Sequence, residues 1–262
     1  MRRSSASSPR PRRAGRPAAL TWEWNSVRAD HRFPRHAHRD WSFGVVCGGV
    51  GFVDVGGTVH EAHSGAITVL HPGESHRSWT HPTSGLDYVV ITVTRAEAAT
   101  LHGGRAAPTF TEHVIDDPGC AGALLTACES RSGDAATPVA GALALLFGTH
   151  ARDEDASSSP SPVVRVLREY LDDHYAVPVS LSDMAALARV SQATLVRRFH
   201  ADLGLAPHEY LVSRRIDAAR AMVRSGLPLP EIAQLTGFAD QSHLHRHFTR
   251  IVGVTPGRYR RN

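Results

Sequence analysis

The chain has 262 residues, 42% of them apolar, and a net charge of +4, enough length for two domains with separate cores. No apolar run reaches the ~18 residues that a bilayer-spanning helix needs; the longest candidate, Ala140 to Phe147, reads as a buried helix segment. Cys47, Cys120 and Cys128 are too few and too scattered for a disulfide framework or a zinc cluster and read as reduced and structural. The charge is divided unevenly: +6 over residues 1–18, −8 over 19–177 and +6 over 178–262, with arginine the only strong base. A polyanion would therefore meet the last third of the chain, with salt-sensitive affinity.

Residues 1–18 are rich in Arg, Ser and Pro without apolar periodicity and read as a disordered basic arm. They lack the apolar core of a secretory signal and the amphipathic spacing of a transit peptide. From residue 19 to 150 the expectation is a β-rich domain with trailing helices. Trp41–Val46, Gly51–Val55, Thr58–Glu61, Ala66–Leu70 and Tyr88–Val93 read as strands, with Gly56-Gly57 as a hairpin turn. Short strands at this spacing suggest a jelly-roll or cupin-like β-barrel. His36-Ala37-His38, followed by Gly73-Glu74-Ser75-His76, resembles the two cupin motifs that bring three histidines to a barrel mouth. Alternation along a strand would turn His36 and His38 to one side. The carboxylate that usually follows the paired histidines is absent at its spacing, with Asp40 the nearest substitute. His36, His38 and His76 are accordingly read as ligand-binding residues of a pocket, with no metal and no cofactor assigned. The alternative is a cupin-type metal-dependent enzyme or metal sensor fused to a DNA-binding tail.

Arg95 to His150 reads as helical, best over Cys120–Glu129 and Val139–His150. Its Leu124, Leu125, Leu143, Leu145, Leu146 and Phe147 would cover the barrel or meet a second subunit. Residues 151–162 read as a polar linker, and 163–262 as an all-α domain. It opens with an amphipathic helix, Val163 to Tyr175, whose Val163, Val166, Leu167, Tyr170 and Leu171 share a face.

The last third contains one helical pattern twice, LSDMAALARVSQATLVRRF from Leu181 to Phe199 and LPEIAQLTGFADQSHLHRHF from Leu229 to Phe248. Each copy reads as helix, tight turn, helix, the grammar of a helix-turn-helix. Gly237 suits the second turn because it takes positive φ at little cost; Arg189 stands there in the first copy, which must find another route. In the second helices Leu195, Phe199, Leu244 and Phe248 face inward. The opposite faces carry Ala193, Thr194 and Arg197, and Gln241, Ser242, His245 and Arg246, groups able to read base edges. Pro207 to Arg224 forms one helix of ~27 Å between the copies, a spacing that sets two recognition helices about one DNA turn apart.

These two runs, with LGLAPHEYL after the first and TRIVGVTPGRYR after the second, resemble the DNA-binding domain of the AraC/XylS family of bacterial transcriptional regulators. The HAH and PGESH segments are similar, more weakly, to that family's cupin-like effector domain. The resemblance implies an α+β protein of two domains that is no enzyme: a sequence-specific regulator of the AraC type, cytoplasmic and nucleoid-associated when bound, with no membrane partner. It implies double-stranded DNA and a small-molecule effector as partners, and RNA polymerase if the protein activates; a homodimer is left open. It matches the base-facing residues above and adds Arg198, Arg250 and Arg258 as phosphate contacts.

Overall fold

In the computed structural model, residues 20–104, 108–130, 136–153 and 161–260 are described. The expected basic arm, residues 1–18, and residues 154–160 of the expected linker lie outside them.

The amino-terminal half is built on strands β1 (Leu20–Val27), β2 (Arg32–His36), β3 (Trp41–Val55), β4 (Thr58–His63), β5 (Ala66–Leu70), β6 (His76–Thr80) and β7 (Leu86–Val93). After helix α1 (Arg95–Leu101) come β8 (Pro108–Phe110) and β9 (Val114–Asp116), helices α2 (Pro118–Glu129) and α3 (Ala136–His150), and β10 (Ala151–Asp153). One layer runs β1-β7-β3-β5-β9, all antiparallel; the other pairs β2 with β6, β6 with β3 and β3 with β4. Strand β3 belongs to both. The two strands expected at Trp41–Val46 and Gly51–Val55 are one, carried through by a bulge between Val46 and Gly48 that bends it from one layer to the other. At that bend Gly49 has φ +79°, and a Cβ there would sit 1.8 Å from the Gly85 carbonyl oxygen, so only glycine fits.

Phe43, Ile67 and Ile91 of the first layer pack against Leu124, Leu143, Leu146 and Phe147, all fully buried. The trailing helices thus cover the sheet, while Leu145 faces solvent. The segment from Arg95 to His150 is not uniformly helical: Pro108–Phe110 and Val114–Asp116 are strands, favoured by β-branched Thr109, Val114 and Ile115 and by the open edge of β5. Nor are residues 151–153 linker, since β10 pairs with β8.

The carboxy-terminal half comprises α4 (Pro162–Asp173), α5 (Leu181–Leu187), α6 (Gln192–Leu203), α7 (Pro207–Arg224), α8 (Leu229–Leu235), α9 (Gln241–Val252) and α10 (Pro256–Tyr259). It has two cores: α4, α5 and α6 pack on the start of α7 through Leu167, Leu195, Phe199 and Tyr210, and α8, α9 and α10 on its end through Ile216, Val223, Leu244 and Phe248. Helix α4 turns inward on Val164, Leu167 and Leu171 rather than on Val166, which is exposed. The helix starts are fixed locally: Ser180 and Asp183 make a reciprocal capping box, and Ser191 and Asp240 accept from the Thr194 and His243 amides. In the first turn Arg189 takes no alternative route; it adopts φ +54° where Gly237 has +77°. An arginine in the left-handed region stores strain of about 1 kcal/mol. Gly237 has a second reason to lack a side chain, because its Cβ would lie 2.7 Å from the Ala176 carbonyl oxygen.

Candidate nucleic-acid interface and interdomain pocket

In α6 and α9 the 100° step that buries Leu195 with Phe199, and Leu244 with Phe248, turns the intervening residues outward. Ala193, Arg197, Arg198, Gln241, Ser242, Arg246 and Arg250 are exposed; Thr194 and His245 are half-buried. Thr194 is already partly engaged, its Oγ1 accepting from Ser191 Oγ at 2.9 Å. Among the described residues Arg197, Arg198, Arg246, Arg250 and Arg258 have no acidic partner in an ion pair. His247 of α9 is held down to about 4, by burial first and then by the neighbouring Arg250, His243, His208 and Arg246. Unneutralised arginines on α6, α9 and α10, spread over both copies of the repeat, suit contact with a phosphate backbone.

The opposite ends of the same helices touch the β domain. Each ends in a left-handed glycine, Gly204 and Gly253. A Cβ on Gly204 would stand 2.8 Å from Ser75 Oγ, and one on Gly253 2.8 Å from Phe33 Cε1. The recognition helices are therefore seated on β2 and on the turn into β6.

Between the halves lies a cavity of about 130 Å³. Phe33, Phe52, Val53, Leu70 and Leu86 give it apolar walls, and Arg220 of α7 with Ile251 and Val252 of α9 complete it from the helical side. Its polar groups include Ser42, Tyr88 and the three expected histidines. Tyr88 is pushed up to about 12 by burial and stays a neutral phenol at physiological pH. His36 and His76 face each other across the β2–β6 ladder; His38 lies just past the end of β2, yet its ring centroid is 4.8 Å from that of His36 and 5.2 Å from that of His76. His36 is held down to about 3, by burial first and then by His38. Asp40, the sequence's substitute carboxylate, is not part of this cluster.

Sequence reasoning missed the polar seam beside the cavity. Glu23 on β1 accepts from Arg220 at 2.8 Å, Arg224 at 2.6 Å and the Tyr259 hydroxyl. Alternation on β1 turns Trp22 to the helix-covered face, where its indole donates to the Cys128 carbonyl, and so turns Glu23 the other way. Asp217 on α7 accepts from His38 Nδ1 at 3.1 Å and pairs with Arg214 at 2.8 Å. Burial raises the Asp217 carboxyl, but His38, Arg214 and Arg220 outweigh it and hold it well below the usual carboxylate range. The one signal available was that Asp217 is among the few acids of a basic domain.

A paired helix-turn-helix unit with arginine-bearing faces, docked on a pocketed β domain, is the build of a ligand-responsive DNA-binding regulator. Residues 26–148 match the AraC-like ligand binding domain, and residues 184–262 match a helix-turn-helix domain. The chain is 28% identical to the HTH-type transcriptional regulator YbfI of Bacillus subtilis (strain 168) over 224 residues, 81% of this chain and 82% of that one. It is 30% identical to LumQ of Photobacterium leiognathi over 95 residues, 36% of this chain and only 38% of that protein's length. The fold is that of ToxT from Vibrio cholerae strain SCE256 in its unsaturated fatty acid bound form, with TM-score 0.65 at 12% identity, covering 93% of this chain and 95% of that one. The chain belongs to the AraC/XylS family of transcriptional regulators. Its relatives are regulators rather than enzymes, and no helix among the described residues is long and apolar enough to cross a membrane.

Proposed function

We propose that the protein is a cytoplasmic, nucleoid-associated regulator whose DNA affinity responds to a small molecule held between its halves. The observation that carries this reading is the shared cavity: Arg220, Ile251 and Val252 come from the same helices that position the exposed arginines. A ligand touching them distinguishes the docked arrangement from a separated one, and only such differential contact shifts a conformational equilibrium. We assign residues 19–150 to effector binding and 163–262 to DNA, with no catalytic role for either. Ala193, Thr194 and Arg197 read one major-groove segment; Gln241, Ser242, His245 and Arg246 read the next; Arg198, Arg250 and Arg258 hold phosphates. The apolar walls and the guanidinium edge suit a small, mainly apolar molecule with an anionic end, a class that includes the fatty acid bound by ToxT.

Quantitative footprinting on the DNA flanking the gene, at several salt concentrations, tests the reading. Protection of two major-groove segments on one duplex face is expected, with Arg197→Ala and Arg246→Ala each losing ~1–3 kcal/mol at the site. Salt-sensitive binding without a preferred segment refutes it. Transcription with RNA polymerase on that template then gives the sign of regulation, and sedimentation with and without the template shows whether two copies bind.

A further inference from the structure

Two turns of the β domain and one of the helical half enclose a second cleft, of about 670 Å³, which shares only Leu86 with the first cavity. The turn after β1 brings Arg28 and His31, the turn before β7 brings Ser84, and the turn after α9 brings Val254, with Arg258 following on α10. The two β turns are stitched together. Thr80 Oγ1 donates to the Arg28 carbonyl at 2.8 Å and accepts from the His31 amide at 2.9 Å, and the Asp30 amide donates to the His81 carbonyl at 3.2 Å. A Cβ on Gly85 would stand 2.6 Å from the Val27 carbonyl oxygen, so the turns are already in contact and the cleft wall is fixed before any ligand arrives.

The polar groups of this cleft lack partners. Among the described residues neither Arg28 nor Arg258 makes an ion pair, although they come from different halves of the chain. Six buried side-chain nitrogen or oxygen atoms among the described residues have no hydrogen-bond partner, and two of them, His31 Nε2 and Ser84 Oγ, belong to residues that line this cleft. Such orphans call for a ligand, an ion or an ordered water. Burial first and then Arg28 lower the His31 pKa, which places the guanidinium close to a neutral ring. Two charged forks, a hydroxyl and a ring nitrogen around one space call for a group with negative charge and several oxygens. A carboxylate has two oxygens, whereas a phosphate monoester has three outside its ester bond and matches the arginine fork. Asp87, the single acid of the lining, pairs with neither arginine, so the cleft keeps an excess of positive charge. Val27, Leu86 and Val254 leave an apolar wall for whatever the phosphate carries.

We infer that this cleft binds a phosphate monoester, held by Arg28, His31 and Ser84 of the β domain and by Arg258 of the helical half. Because the donors come from both halves, the bound phosphate favours their docked arrangement, independently of any effector in the first cavity. A phosphate monoester reaches the cleft as a free small molecule, and the same donors suit the backbone phosphate of an operator. The test separates the two sources.

Phenyl phosphate and, in parallel, inorganic phosphate are titrated into the full chain without DNA and followed by ³¹P NMR. Saturable binding is expected, with phenyl phosphate ~10-fold the tighter because its ring covers the apolar wall. Arg28→Ala and Arg258→Ala each weaken it ~10-fold and Ser84→Ala ~5-fold. Asp87→Asn tightens it ~2–5-fold by removing a like charge, an effect that a merely structural role does not produce. Arg165→Ala, exposed on α4 and outside the cleft, binds as the wild type does. In wild-type protein the His31 ring resonances shift on saturation, a readout that needs no variant to fold. The second arm repeats the operator footprint with Arg28→Ala and no added phosphate. An unchanged salt dependence there, with probe binding lost, assigns the cleft to a free ester; a salt slope lowered by about one, with neither probe bound, assigns it to the backbone. Probe binding indifferent to Arg28 and Arg258, or no probe binding together with an unchanged salt slope, overturns the inference. The first arm contains no DNA and no effector, so its failure is distinct from failure of the proposed function.

Discussion

Replacing Glu23 with alanine removes a carboxylate to which three groups of the helical half donate. The side chains of Glu23 and Arg220 are 11% and 18% exposed, and Arg224 is 36% exposed. Truncating one partner of a fully buried ion pair costs about 3–5 kcal/mol, because the other charge stays buried without compensation. Arg224 is largely solvent-screened and contributes little, while Arg220 keeps its bond to the Tyr259 hydroxyl. The expected loss in the docked arrangement is therefore ~2–3 kcal/mol, or about 30–150-fold in the equilibrium between docked and separated halves. Hydrogen exchange is the assay: amides of β2 and the last turn of α9, which meet where Gly253 approaches Phe33, gain solvent access only when the seam opens. Their exchange should accelerate by that factor, while the β3–β4 ladder exchanges as before. Unchanged protection of β2 and α9 in a folded variant would refute the claim that Glu23 holds the halves together.

Gly253→Ala meets both a positive φ of 83° and a Phe33 carbon 2.8 Å from the new Cβ, so it should lower stability by ~1–3 kcal/mol in a denaturant melt. Gly257→Ala, with nothing within reach of its Cβ, is the control. Arg189→Gly should relieve the strained first turn at φ 54°, raising stability by up to ~1 kcal/mol; a lower melting temperature would contradict it. Cys128 and Cys120, pushed up to about 12 and 11 mainly by burial, should resist iodoacetamide at pH 8 in native protein, with thiolate fractions of roughly 10⁻³ to 10⁻⁴, and react once urea unfolds the chain.

The helices of the carboxy-terminal half were legible because their determinants are local. Ser180 with Asp183, Ser191, Asp240 and the glycines after α6 and α9 each act within a few residues, and Leu195–Phe199 and Leu244–Phe248 announce the buried face. Where the stripe was wider than the core, periodicity misplaced its edge: α4 has apolar residues over so broad an arc that Val164 rather than Val166 goes inside. Strands were read where β-branched residues run together, as in Ala66–Leu70, and missed in β6, whose His-Arg-Ser-Trp-Thr composition reflects a face toward the cavity instead of the core. The proximity of His36, His38 and His76 was suggested by sequence, but not the bond from His38 to Asp217. Glu23 lies 197 residues from Arg220 and His38 179 from Asp217, and no local rule joins groups so far apart in the chain.

Those long-range contacts decide the direction in which an effector acts. A ligand in the cavity loses Arg220, Ile251 and Val252 when the halves separate, so it binds the docked arrangement more tightly, and its leverage is bounded by that difference. Surrendering two aliphatic contacts of ~1 kcal/mol each and one polar contact of similar size amounts to ~2–3 kcal/mol, enough to move a balanced equilibrium to roughly 97–99% docked. DNA enters through the same equilibrium, because the C-terminal ends of α6 and α9 rest on the β domain and their spacing is set there unless the seam opens. If the operator prefers the docked spacing, effector and DNA reinforce each other and Glu23→Ala weakens DNA binding; if it prefers the separated one, the effector competes and Glu23→Ala strengthens it. Reciprocity requires the ratio of effector affinities with and without operator to equal the ratio of operator affinities with and without effector. Footprinting titrations in which Glu23→Ala shifted operator affinity while saturating effector left it unchanged would show that the cavity and the recognition helices are not reporting on one shared equilibrium.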